Sequence, residues 1–66
     1  MKTSELIKQW KQGKIENGVY TSYVLDDNTN IIVEVDDDCI TLKYLGGRFI
    51  RCESYYKDGT QEEWFI

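Results

Sequence analysis

Ile31-Ile32-Val33-Glu34-Val35-Asp36-Asp37-Asp38-Cys39-Ile40-Thr41-Leu42-Lys43-Tyr44 is the stretch from which the fold is read. Two runs of β-branched and apolar residues flank three consecutive aspartates. In the second run Ile40, Leu42 and Tyr44 alternate with Thr41 and Lys43, the period of two that marks a half-buried strand. Aspartates favour turns because their side chains bond to the backbone two residues on. An antiparallel strand pair joined at Asp36-Asp37-Asp38 follows.

The same pattern extends on both sides. Upstream, Val19 to Leu25 has strand composition, and Asp26-Asp27-Asn28-Thr29-Asn30 is its turn. Downstream, Gly46-Gly47 marks a hairpin, residues 49–56 a fourth strand, Asp58-Gly59 a further hairpin signal, and residues 61–66 a fifth strand. Before the strands the period is helical. Thr3 or Ser4 can cap a helix with Glu5 in its first turn. Leu6, Ile7 and Trp10 form an apolar stripe, Lys8, Lys11 and Lys14 suit the negative end of the helix dipole, and Gly13 is a natural stop.

The fold class is therefore α+β: a short N-terminal helix followed by a five-stranded antiparallel β-meander in one domain, residues 1–66. Helix-then-five-strands is also the order of Sm-like and some SH3-like barrels. The meander either curls into such a small barrel with the helix as lid, or stays open with one face under the helix and the other under a partner or second copy.

Register follows from the turns. A two-residue Gly46-Gly47 loop would set Leu42 against Arg51 and Ile40 against Glu53, burying charge. A three-residue loop of Leu45-Gly46-Gly47, with Gly47 left-handed, sets Leu42 against Ile50 and Ile40 against Cys52, and is preferred because a one-residue slip inverts the faces. It puts Cys39 and Cys52 on opposite faces. A two-residue Asp58-Gly59 turn then sets Trp64 against Glu53, and Lys43, Phe49, Arg51, Glu53, Tyr55 and Trp64 share a face.

At 66 residues the core is small, and 14% aromatic content suits either a dense core or a sticky surface. The chain has no histidine, so triads built on it are excluded and the commonest general base is missing. Two cysteines cannot supply the four ligands of a structural zinc site. The start Met1-Lys2-Thr3-Ser4-Glu5 lacks a signal peptide's apolar region, and no apolar run approaches the roughly 20 residues of a membrane span. A cytoplasmic location and free thiols are expected.

Net charge is −4, but it is segregated. Residues 1–14 hold four lysines against Glu5, whereas residues 26–38 hold Asp26, Asp27, Glu34, Asp36, Asp37 and Asp38 and no base. Asp26 to Asn30 resembles the opening of a calcium loop but has Ile31 where glycine is required and Asp37 where a bidentate glutamate is required. Consecutive aspartates in a turn do not converge on one ion, and Glu62 and Glu63 point to opposite faces of a strand. No metal, cofactor or catalytic residue is expected.

The acidic run is the candidate partner-binding surface, and it implies a protein partner with a basic surface. The reading is a non-catalytic protein-binding module, an inhibitor or regulator of a larger assembly. The alternative site is the mixed face of Lys43, Phe49, Arg51, Tyr55 and Trp64, which would stack unpaired bases; the acidic balance opposes nucleic acid. A structural homo-oligomer is the third reading. No membrane partner is expected.

Overall fold

The computed structural model describes residues 1–18 and 20–66. The expected start of the first strand at Val19 lies outside them. Helix α1 spans Thr3–Lys11, followed by strands β1 (Tyr20–Val24), β2 (Asn30–Val35), β3 (Cys39–Tyr44), β4 (Arg51–Tyr56) and β5 (Gln61–Phe65). The fourth strand begins two residues later than residue 49, and a loop over 45–50 replaces the short Gly-Gly turn.

Thr3 and Ser4 lie inside the helix and do not cap it. Lys2 is the extended N-cap residue, without a side-chain cap bond; its carbonyl accepts from the amides of Glu5 (3.1 Å) and Leu6 (3.3 Å). The other end stops at Gly13, at φ 73°. Lys14 N–H donates to the Gln9 carbonyl and Gly13 N–H to that of Trp10, the paired bonds of a Schellman termination.

The sheet order is β1-β2-β3-β4-β5, every pair antiparallel. β1 and β5 are edges and do not pair, so the sheet is open and the barrel alternative does not hold. Leu6 and Trp10 are buried against Ile31, Val33, Val35, Ile40 and Leu42, so the helix packs on one face of the open sheet. A helix is about 10 Å wide and five strands span about 19 Å, so α1 covers the middle of one face and leaves the β4–β5 flank bare. All five residues of β5 are exposed.

Both outer hairpins use one device. Leu25 and Tyr56 each donate their amide to the carbonyl four residues on, Thr29 and Thr60. Each three-residue loop closes through a left-handed third residue, Asn28 (φ 68°) or Gly59 (φ 91°), the G1-bulge hairpin. Asp27 and Asp58 brace the two turns by accepting from the Thr29 and Thr60 amides at 3.0 and 2.9 Å. The β4–β5 turn is thus Lys57-Asp58-Gly59, one residue longer than expected, and Trp64 faces Cys52 instead of Glu53.

The β3–β4 register also corrects the expected one. Leu42 faces Glu53 and Ile40 faces Tyr55, a shift of three residues that inverts the faces of β4. Among the described glycines only Gly13, Gly18 and Gly59 have positive φ, so Gly47 does not make the left-handed loop. Glu53 is tolerated beside the core because its carboxylate is fully engaged, as shown below. Cys39 and Cys52 consequently share the face away from the helix. They lie four positions apart along β3, about 13 Å, beyond disulfide reach, and both are free.

Candidate functional site

The fold divides the acidic residues between the two ends of the sheet. Asp26 and Asp27 lie in the β1–β2 turn; Asp36, Asp37 and Asp38 lie in the β2–β3 turn, beyond the six residues of β2, or about 20 Å away. Glu34 stands on the face away from the helix, opposite Tyr20. Asp26 accepts from the Met1 amino group. Bonding to Thr29 holds the Asp27 carboxyl below its ordinary value.

The Asp36–Asp38 end is tied to its surroundings. Trp10 Nε1 donates to the Asp36 carbonyl at 3.3 Å, the Asn17 amide donates to the Asp37 carboxylate, and the Lys57 amide donates to the Asp38 carbonyl at 3.1 Å. The last bond brings the β4–β5 turn alongside, so Asp58 joins the three aspartates. Glu62 and Glu63 continue the acidic surface onto β5, Glu62 on the far face and Glu63 on the helix side. Sequence proximity did not group these three with Asp36–Asp38; the β3–β4 register does. Among the described residues no three Asp, Glu or Cys side chains are placed to share a metal ion.

The mixed aromatic face is split three ways. Lys43 and Trp64 flank Cys52 on the face away from the helix. Arg51 and Tyr55 lie on the helix side, and Phe49 belongs to the 45–50 loop. Arg51 is engaged within the chain: its guanidinium lies 4.1 Å from the Tyr44 ring centroid and Nη1 meets Glu53 Oε2 at 3.3 Å and Glu63 Oε2 at 3.7 Å. Glu53 Oε1 also accepts from Tyr44 OH (2.7 Å) and Tyr55 OH (3.1 Å). Burial, seconded by Glu53, pushes both phenols above their ordinary value. A phosphate at Arg51 would meet the repulsion of two carboxylates. The sequence signal for this network is Tyr44, Glu53 and Tyr55 falling on one face, visible only in the observed register.

At the other end an open cleft of about 620 Å³ lies between the β1–β2 turn and the 45–50 loop, walled by Tyr44, Arg48, Phe49, Arg51 and Phe65. Beside it Phe49, Phe65 and Ile66 are 61–67% exposed and Ile50 and Trp64 38%. Ile66 N–H donates to the Ile50 carbonyl at 2.9 Å, which ties the strand end to the loop, with Phe65 on the helix side and Trp64 on the other.

Backbone parity completes the picture of β5. Antiparallel ladders alternate between bonded and non-bonded pairs. The bonds at Tyr56–Thr60 and Ile50–Ile66 fix the phase: Thr60, Glu62, Trp64 and Ile66 turn their amides and carbonyls toward β4. Gln61, Glu63 and Phe65 turn theirs outward, along the open edge.

No family model matches the sequence, and neither a curated protein nor a solved structure matches the chain.

Proposed function

We propose that this chain is a non-catalytic protein-binding module, an inhibitor or regulator of a larger assembly, whose β5 side engages a partner with a basic surface. One observation carries the reading. β5, exposed along its whole length, runs from an acidic end (Asp36–Asp38, Asp58, Glu62, Glu63) to an apolar end (Phe49, Ile50, Trp64, Phe65, Ile66). Binding energy concentrates in buried aromatic and apolar anchors, and complementary charge accelerates encounter and selects the partner. The nucleic-acid reading is weaker here, since Arg51 is neutralised by Glu53 and Glu63.

The test is the salt and charge dependence of binding to a protein captured from the source cells. Raising salt from about 0.1 M to about 1 M shortens the screening length from about 10 Å to about 3 Å and should slow association. Replacing Asp36, Asp37 and Asp38 by Asn should slow association more than it speeds dissociation, with the fold unchanged by circular dichroism. Micromolar binding of a single-stranded oligonucleotide, lost in Phe49→Ala, would overturn the reading.

A further inference from the structure

We propose that the partner engages β5 by strand addition: an extended segment, with lysine or arginine opposite Glu62 and Glu63 and β-branched or aromatic residues against Phe65, extends the sheet as a sixth strand. The inference rests on the binding-module reading and specifies its mode. Gln61, Glu63 and Phe65 present three amides and three carbonyls along one open edge. An exposed edge is a template for another strand, and strand addition takes its affinity from the main chain and its specificity from alternate side chains.

Charge selects the occupant. Glu62 and Glu63 stand on opposite faces of the edge strand, Glu63 half-exposed and sharing Arg51 with Glu53, so an incoming strand meets a carboxylate whichever face its side chain takes, with Glu62 the stronger selector. Opposite charges across strands stabilise a pair and like charges destabilise it. A second copy of this chain offers two edges, and neither brings a cation: β5 is Gln61-Glu62-Glu63-Trp64-Phe65 and β1 is Tyr20-Thr21-Ser22-Tyr23-Val24. Antiparallel pairing of β5 with itself about Glu62 or Glu63 opposes like carboxylates. Pairing β5 with β1 of the next copy is head-to-tail and sets no cation against Glu62 or Glu63. The carboxylates that turn away an acidic or neutral edge admit a basic one.

The probe is a labelled peptide, acetyl-Val-Ile-Thr-Lys-Lys-Thr-amide, against the same peptide with Glu in place of both Lys. Amide hydrogen exchange of the full chain is followed by NMR as the peptide is added. At 90% occupancy the outward Gln61, Glu63 and Phe65 amides, which need no opening of the β4 ladder to exchange, should exchange about tenfold more slowly, because exchange proceeds from the free fraction. Gln61→Pro removes one outward amide without touching the β4 ladder and should weaken binding about fivefold. Glu62→Lys leaves the backbone intact and should erase the preference for the Lys peptide over the Glu peptide, because each peptide then meets one like and one opposite charge; this covers the case in which the proline variant fails to fold.

Binding without slowed exchange at these three amides would overturn strand addition while leaving the module reading in place. Failure of the Lys peptide to bind would also overturn it. Concentration-dependent slowing in the chain alone, with dimer formation, would assign the edge to a second copy. Failure of the module reading shows separately, as the absence of any salt-dependent protein partner.

Discussion

Trp10→Ala is the sharpest perturbation of the fold. Trp10 is 2% exposed and, with Leu6, supplies the only buried side chains of α1 among the described residues. Removing a buried indole costs about 3–5 kcal/mol. The bond from Nε1 to the Asp36 carbonyl contributes about 0.5–1.5 kcal/mol more, at the low end because that carbonyl can rehydrate. Lys57 Nζ lies 5.3 Å from the ring centroid, a contact of about 0.5–1 kcal/mol at an exposed site. The expected loss is therefore about 4–6 kcal/mol. A chain of 66 residues at about 0.05–0.15 kcal/mol per residue holds about 3–10 kcal/mol in total. Nine helical residues are too few to persist undocked. Trp10→Ala should thus leave much of the population unfolded at 25 °C, whereas Trp10→Phe, which keeps most of the ring and loses the N–H, should cost about 1–2 kcal/mol. Urea titrations followed by far-ultraviolet circular dichroism measure both. A Trp10→Ala loss below about 2 kcal/mol with an unchanged denaturant slope would refute the docking account.

Three further outcomes are expected. Gly59→Ala forces a side chain to φ 91° with nothing within 4 Å of the new Cβ, so its cost, about 1 kcal/mol, is conformational alone; Asn28→Gly, at φ 68°, should change stability by less than about 0.5 kcal/mol, both read as shifts in thermal midpoint. Tyr44 and Tyr55 have phenols raised in the folded state. The unfolded chain therefore loses these protons first, and the stability they contribute is intact below about pH 10 and lost as pH rises toward the folded values; an alkaline titration that is flat from pH 10 to 11.5 would contradict this, and Glu53→Gln should leave the onset in place and make the loss smaller. Cys39 should react with a thiol reagent before Cys52, which is fully buried, and slowly, since burial and Asp36 raise its pKa; an intramolecular disulfide in the non-reduced mass would refute the β3–β4 register.

Helix, strand number and meander order are all legible in the sequence, because periodicity of 3.6 or two and clustered turn residues are local signals. Gly13 as helix stop is legible for the same reason. Register is not local. The sequence reading keeps the charge of Glu53 off the apolar face of β3, and the structure sets it opposite Leu42 because Tyr44, Tyr55 and Arg51 all engage it, a compensation that requires knowing the register first. The β3–β4 and β4–β5 registers each shift by an odd number of residues, and the two inversions cancel at β5. Trp64 therefore keeps its expected companion Lys43, while Arg51 and Tyr55, on the intervening strand, move to the other face. The acidic site changes for the same reason: Asp26 and Asp27 are near Asp36 to Asp38 along the chain and far in space, whereas Asp58 is far along the chain and adjacent in space.

The meander order has a kinetic consequence. Every strand pair joins sequence neighbours, so each ladder closes a loop of two to six residues, and closure entropy grows with the logarithm of loop length. Hairpins form in about 1–10 μs, and low contact order favours fast folding. The exception is α1, whose Trp10 must find Val35 and Ile40 across some thirty residues of chain. Folding should therefore be paced by helix docking, with Trp10 and Leu6 variants changing mainly the folding rate and β5 variants mainly the unfolding rate.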